Sequence, residues 1–125
     1  MTLNLSPNRM DRLSLHFDRW KGPMSIAIQL TEEEFRSTMK SIELINRENI
    51  RFTFYIVKAS HSKQPRCTYI TKKGKTVSFE TCFVINELRN LAIETIQTTH
   101  FMILDGDGIL SSFLLMRYSY CNRNI

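Results

Sequence analysis

The sequence has 125 residues, 42% hydrophobic and 23% charged, which suffices for one domain with a modest core. It has no apolar run near the roughly 20 residues that a membrane-spanning helix needs, and its first eleven residues lack a signal-peptide pattern. The formal net charge of +5 favours anionic partners such as nucleotides, nucleic acids or acidic glycans. The one local basic cluster, residues 72–75, is more simply a solvated loop tip than a phosphate site.

The first half of the chain alternates between apolar runs and segments with helical signals. Ser6 and Pro7 form a helix start, with Ser as N-cap and Pro in the first turn. Thr31 and Glu34 have the spacing of a capping box. The predicted elements are a short strand Thr2–Leu5, a helix from Ser6 to about Trp20, a buried strand Met24–Leu30, a helix from Thr31 to about Asn46 and a strand Ile50–Val57.

The second half opens with a polar stretch, residues 58–80, which predicts a long loop or a loose hairpin. After it we predict a helix Ile85–Thr98, a strand Phe101–Leu104 buried on both faces, and a short helix over 112–120 capped by Ser111. Strands and helices that alternate at this spacing predict an α/β fold with a mostly parallel sheet. Such a sheet binds ligands at the carboxyl ends of its strands.

Asp105 and Asp107 follow directly after the last predicted strand. In extended backbone, two residues at this spacing point to the same side, so two carboxylates would converge at the strand end. Hard divalent cations such as Mg²⁺ and Mn²⁺ prefer oxygen ligands and often bridge to a substrate phosphate. The pattern also occurs in solvated turns, which Gly106 and Gly108 would suit. An EF-hand is excluded, because the sixth and twelfth loop positions are Leu110 and Met116 instead of Gly and Glu.

The three cysteines, Cys67, Cys82 and Cys121, have no CxxC spacing, so they predict no zinc site. A Cys67–Cys82 disulfide would be compatible with a secretory compartment, although buried or free thiols are the simpler interpretation.

Several motifs together resemble glycosyltransferase family forty-nine, the group of LARGE-type and β-1,4-glucuronyltransferase-type enzymes. The resemblance covers nearly the whole chain and is weakest in residues 58–80. The motifs are Leu-Ser-Pro-Asn-Arg at 5–9, Arg-Trp-Lys-Gly-Pro-Met-Ser at 19–25, Thr-Glu-Glu-Glu-Phe at 31–35, Leu-Arg-Asn-Leu-Ala at 88–92, Thr-His-Phe at 99–101 and Asp-Gly-Asp at 105–107.

The resemblance implies a GT-A fold, a nucleotide-binding α/β sandwich, and inverting, Mn²⁺-dependent transfer of glucuronic acid from a UDP-sugar to a glycan acceptor in the Golgi. By analogy, Asp105 and Asp107 would hold the metal on the UDP diphosphate. Arg89 would bind the diphosphate, for which its planar fork of donors is suited. Asn90 would bond the ribose or orient Asp105. Without the resemblance, the favoured interpretation of Arg89 is a surface pair with Glu87 or Glu94, and that of Asn90 is simple exposure.

The sequence also departs from the family pattern. Phe83-Val84-Ile85 stands where a Tyr-Pro lead-in is usual, and Gly108-Ile109-Leu110 replaces an aromatic and proline-containing turn. A family catalytic domain continues well beyond its Asp-x-Asp, whereas this sequence has 18 residues after Asp107. We therefore expect the single domain 1–125 to be the donor-binding half and assign it no catalytic base. The alternatives are a non-catalytic fragment of a truncated gene product and, less favoured, a basic nucleic-acid-binding module, for which no aromatic platform is evident.

Overall fold

The computed structural model describes residues 1–58, 67–79, 83–106 and 108. Six strands, three α-helices and one 3-10 helix form this part of the chain. In chain order they are β1 (Thr2–Leu5), the 3-10 helix (Pro7–Arg12), α1 (Leu13–Arg19), β2 (Met24–Thr31), α2 (Glu32–Glu43), β3 (Ile50–Val57), β4 (Cys67–Ile70), β5 (Thr76–Phe79), α3 (Ile85–Glu94) and β6 (Ile103–Asp105).

A four-stranded parallel sheet in the order β3-β2-β1-β6 forms the centre of the structure. Helices α1 and α2 pack on one face and α3 on the other, so the predicted α/β sandwich with a parallel sheet is confirmed. It is consistent with a GT-A-like nucleotide-binding fold. β4 and β5 form a separate antiparallel hairpin, the second of the two structures predicted for residues 58–80. No helix in the described part is long and apolar enough to cross a membrane.

The face of the sheet that meets α1 and α2 is apolar. Leu3 and Leu5 of β1 and Ile26 and Ile28 of β2 point to this face, and all four are at most 1% exposed. Because alternate strand residues share a face, the two strands together form one continuous apolar surface. Removing this surface from water is the main source of stability, and it explains why Met24–Leu30 was recognisable as buried.

The opposite face of the sheet is polar where α3 covers it. Thr2, Asn4, Ser25 and Gln29 are all buried on this side. Two of them hold α3 at both ends. The Ser25 hydroxyl donates to the Ala92 carbonyl oxygen at 2.6 Å, and the Val84 N–H donates to Gln29 Oε1 at 2.9 Å. Hydrogen bonds from β2 therefore fix where α3 lies on the sheet.

The helices differ in detail from their predictions. The first forms two pieces, the 3-10 helix and α1, and Ser6 makes no side-chain cap bond because its hydroxyl contacts Asn8 Oδ1 instead. The capping box of α2 is confirmed, since Glu34 N–H donates to the Thr31 hydroxyl and Thr31 N–H donates to the Glu34 carboxylate. α2 ends at Glu43 and α3 at Glu94, each shorter than predicted.

The prediction that the strand before Asp105 is buried on both faces was wrong. β6 begins at Ile103, pairs only with β1 among the described strands, and leaves Phe101 48% and Ile103 46% exposed. An apolar run does not by itself distinguish a central strand from an outer one. The predicted helix over 112–120, its cap Ser111, and Cys82 and Cys121 lie outside the described residues.

Arg47 ties the segment between α1 and β2 to the amino ends of the strands. Its Nη1 donates to the Trp20 carbonyl oxygen at 2.9 Å and its Nη2 to that of Gly22 at 3.0 Å. Nε and Nη2 also reach Asn49 Oδ1, and the guanidinium carbon lies 5.1 Å from the centre of the Phe17 ring. Burial lowers the pKa of Arg47, and these carbonyl contacts compensate its charge.

Candidate functional site

A cleft of about 640 Å³ lies at the carboxyl ends of the parallel strands. The chain builds the sheet outward from β1 through β2 to β3 and then returns to place β6 on the other side of β1. In open α/β sheets, the crevice at such a reversal of strand order is where ligands bind. The lining residues nearest this reversal are Asn4, Leu5, Ser6, Pro7, Asp105 and Gly106.

Asp105, the last residue of β6, forms an ion pair with Arg89 of α3. Arg89 Nη2 lies 2.9 Å from Asp105 Oδ1 and 3.0 Å from Oδ2. The side chains are 35% and 49% exposed respectively, so the pair lies at the surface. Arg89 thus pairs across two elements with Asp105, in place of the local surface pairing with Glu87 or Glu94. Its Nε is buried without a partner in the described part of the chain.

The chain turns directly after Asp105. The Gly108 N–H donates to the Asp105 carbonyl oxygen at 2.8 Å, which closes a tight turn through Gly106. β6 ends at Asp105 and Gly106 is already in the turn, so the extended backbone from which the convergence of the two carboxylates was predicted does not continue beyond Asp105. Asp107 itself lies outside the described residues, and its predicted role stays a prediction.

Gly106 is required by the close packing of this turn against β1. A Cβ atom there would lie 2.3 Å from Leu5 Cδ2 and 2.8 Å from the Asn4 carbonyl oxygen, distances that no real side chain tolerates. The turn can approach β1 this closely only because the residue has no side chain. The absence of a side chain at Gly106 therefore sets how closely the turn after Asp105 approaches the carboxyl end of β1.

His16 of α1 reaches the same turn from the opposite face of the sheet. It is 1% exposed, and its Nε2 lies 3.3 Å from the Gly106 carbonyl oxygen. Burial lowers the pKa of His16, the hydrogen bond to Gly106 partly offsets this, and the positive charge of Arg12 lowers the pKa further. The neutral imidazole can donate from Nε2, which leaves Nδ1 as an acceptor. In the described structure that Nδ1 is buried without a partner.

The buried polar atoms without partners all belong to this region. Within the described residues they are Asn4 Oδ1, His16 Nδ1 and Arg89 Nε. Asn4 is the strand neighbour of Asp105, His16 contacts Gly106, and Arg89 pairs with Asp105. Because nearly all buried polar groups in folded proteins are paired, three unpaired atoms distinguish the surroundings of this turn from the rest of the described structure, and of the three residues Asn4 lines the cleft.

The described residues are compatible with a divalent cation whose ligand set is partly supplied by a substrate. Asp105 is half-exposed, and a carboxylate has about four lone-pair positions, so it can accept from Arg89 and still bind a cation. No group of three or more His, Cys, Asp or Glu side chains suited to a metal occurs among the residues described. Mg²⁺ and Mn²⁺ are often held by one or two carboxylates together with substrate phosphates, so Asp105 is a candidate ligand for such an ion.

The structure brings two of the predicted site residues, Arg89 and Asp105, into contact. Asn90 is exposed on α3 and is not one of the described residues that line the cleft. Sequence reasoning missed His16, although a periodic signal was available. Leu13, His16, Phe17 and Trp20 recur at helical spacing, which places the histidine on the inward face of α1.

Known proteins match most of the chain. The model of the family described as "Glycosyl-transferase for dystroglycan" matches residues 1–121. The glycosyltransferase-like protein gnt13 of Dictyostelium discoideum is 26% identical to the chain over 119 residues. The matched region is 92% of this chain and 17% of that relative, so the chain spans about one sixth of the relative's length.

Proposed function

Because this chain belongs to glycosyltransferase family forty-nine, we propose that it forms the nucleotide-sugar-binding part of a glycosyltransferase. The donor we propose is a UDP-sugar carrying glucuronic acid, bound together with Mn²⁺, and the acceptor is a glycan. The corresponding compartment is the Golgi. The net charge of +5 supports an anionic ligand of this kind.

The observation that carries the proposal is the cleft at the reversal of strand order. The carboxyl ends of β1 and β6 border it, and Asp105 and Gly106 form part of its wall. At about 640 Å³ the cleft falls within the size range of small-molecule and cofactor sites. A nucleoside diphosphate could lie across the ends of both strands, with its phosphates near Asp105.

Arg89 and Asp105 have complementary roles in this proposal. Arg89 is held by Asp105 through Nη2, so its Nη1 stays available to a diphosphate oxygen. Asp105 keeps lone pairs for a cation, and Asp107 is proposed as the second carboxylate ligand. Asn90 is proposed as a ribose contact, for which its exposed position on α3 leaves it accessible.

A bound Mn²⁺ would supply Lewis-acid chemistry, offsetting negative charge on the diphosphate as the sugar is transferred. The side chains described here serve binding: Arg89 orients the phosphates, and Asp105 keeps Arg89 in place. The wall of the cleft contributed by Leu5, Pro7 and Ile85 restricts access of water to one side of the ligand.

The test is calorimetric titration of the chain with UDP, with Mn²⁺ and with EDTA, at a salt concentration held constant. We expect binding in Mn²⁺, at least tenfold weaker binding in EDTA, and weaker binding of ADP and GDP than of UDP. Equal UDP affinity with and without Mn²⁺ would refute the metal role, and absence of UDP binding in both conditions would refute the proposed function.

Matched carboxylate variants locate the metal site. Asp105→Asn and Asp107→Asn should each weaken Mn²⁺-dependent binding, whereas Asp18→Asn, an exposed carboxylate on α1, should not. The free energy of unfolding of Asp105→Asn and Asp18→Asn should stay within about 1 kcal/mol of the unaltered chain, because exposed carboxylates contribute little to stability. If Asp18→Asn weakened binding as much as Asp105→Asn, the effect would be one of overall charge.

A further inference from the structure

His16 occupies a position where an apolar side chain would serve folding at least as well. It lies in the layer between α1 and the sheet, beside the buried Leu13, and is itself 1% exposed. Its one hydrogen bond in the described structure, to the Gly106 carbonyl oxygen, is 3.3 Å long, at the weak end of the range for an N–H donor. Its Nδ1 is buried without a partner among the described residues. Folding alone therefore gains little from this imidazole.

The contact that His16 does make is with the turn that carries Asp105. Among the described residues, it is the side chain that hydrogen bonds to the backbone of this turn. Arg89 contacts the turn from the α3 face of the sheet, through the Asp105 carboxylate. His16 contacts it from the α1 face. The turn is thus held between two helices that lie on opposite faces of the sheet.

The turn needs such support because Gly106 supplies none. Gly106 lies directly against Leu5 and the Asn4 carbonyl oxygen, and it has no side chain whose packing could fix the orientation of its peptide. A glycine at this point loses more conformational freedom on ordering than any other residue. A donor aimed at its carbonyl oxygen reduces that freedom by fixing the peptide plane between Gly106 and the next residue.

We propose that His16 is a positioning residue for this turn: its Nε2–H holds the Gly106 carbonyl oxygen and thereby fixes the peptide that follows Gly106, next to Asp105. The ligand that the positioned turn would bind is a divalent cation together with a nucleoside diphosphate, so the proposal rests on the proposed function. His16 acts through the backbone and does not touch the ligand. A neutral imidazole suits this role, since it adds no positive charge beside a cation.

The experiment compares three variants of the full chain. His16→Leu fills the same space without a donor, His16→Gln offers an amide donor of similar reach, and His100→Gln alters an exposed histidine near the opposite end of β6. Calorimetry measures UDP affinity in Mn²⁺, and urea denaturation measures the free energy of unfolding. We expect His16→Leu to keep its fold and to weaken UDP binding about tenfold. His16→Gln should recover most of this loss, and His100→Gln should bind as the unaltered chain does.

Hydrogen exchange of the Gly108 amide tests the same idea without any ligand. This N–H closes the turn by donating to the Asp105 carbonyl oxygen. In His16→Leu we expect it to exchange at least tenfold faster, while the amides of Ile26 and Ile28 in β2 are unchanged. Unchanged exchange at Gly108, or unchanged UDP affinity in a His16→Leu variant whose parent binds UDP, would overturn the role of His16. If the parent binds no UDP, the proposed function fails, and exchange at Gly108 alone decides whether His16 holds the turn.

Discussion

At the amino ends of the strands, Arg47 directs its donors to the carbonyl oxygens of Trp20 and Gly22 and to the side chain of Asn49. At the carboxyl ends of the same sheet, three buried polar atoms have no partner within the described residues. Both ends are polar and both contain an arginine. They differ in whether the described chain supplies hydrogen-bond partners for the buried polar atoms.

This difference separates a structural region from a binding region. An unpaired buried polar atom costs about 1–3 kcal/mol, so a region that collects three of them is less stable than it could be. A ligand in the cleft that pairs with Asn4 Oδ1 recovers part of that cost on binding. Local departures from good packing and full pairing are expected at functional sites. The carboxyl end fits this description and the amino end does not.

The largest effect is expected from Arg47→Ala. This change removes hydrogen bonds to two backbone carbonyl oxygens and the contact with the Phe17 ring, and should lower the free energy of unfolding by about 3 kcal/mol. Urea denaturation measures the loss, and Arg36→Ala, an exposed arginine on α2, is the control. UDP affinity should not change if the amino end is purely structural. A folded Arg47→Ala chain with weakened UDP binding would break the distinction between the two ends.

Gly106→Ala should lower the free energy of unfolding by about 2 kcal/mol, because its Cβ would overlap Leu5 and the Asn4 carbonyl oxygen. Gly22→Ala is the matched change at the amino end. There the nearest atoms belong to the Trp20 indole at 3.0 Å, a longer approach than those at Gly106, so we expect a smaller loss of about 1 kcal/mol. Denaturation of both variants provides the measurement. A larger loss in Gly22→Ala than in Gly106→Ala would show that the turn after β6 is loosely packed.

The pH dependence of stability should report the buried histidine. The folded-state pKa of His16 lies below its ordinary value, chiefly because the side chain is buried. As pH falls through about 6.5, the unfolded chain therefore binds a proton before the folded chain does, and the free energy of unfolding decreases. Denaturation at pH 7.5 and pH 5.5 should show this decrease, and His16→Gln should make it smaller. An equal pH effect in His16→Gln and in His100→Gln would assign it to other groups.

The smallest effect is expected from the ion pair at the cleft. A double-mutant cycle with Arg89→Ala and Asp105→Ala should give a coupling energy of about 0.5 kcal/mol in unfolding, because both side chains are substantially exposed. The same variants should weaken UDP binding far more than this coupling suggests. A coupling energy above about 2 kcal/mol would identify the pair as a structural element and remove the contrast with Arg47.

Local signals predicted most of the fold. The alternation of Ile50–Val57, the Thr31 capping box and the helical spacing of Leu88 and Ala92 each depend on neighbouring residues, and each led to an element that the structure contains. The predictions that were wrong concern features that depend on a partner distant in sequence. β6 lies on the outside of the described sheet, and no apolar pattern encodes how many neighbours a strand has.

The candidate site was predictable in residue type but less so in geometry. The chemistry of Arg89 and Asp105, together with the family resemblance, predicts that both belong to the site. Their contact across 16 residues of sequence is visible only in the fold. The contact between His16 and Gly106 spans 90 residues and joins an inward-facing helix position to a turn. No pattern within either segment indicates that they meet.

The two hydrogen bonds by which β2 holds α3 have a consequence for motion. α3 buries only Leu88 and Ala92 completely, and it rests on the polar face of the sheet, so little apolar area opposes its separation. Elements with few buried apolar contacts open at lower free energy than the whole domain unfolds. While the hydrogen bonds of Ser25 and Gln29 to α3 remain, Arg89 stays against Asp105. When α3 separates from the sheet, Asp105 at the cleft wall loses its arginine partner before the sheet loses any strand.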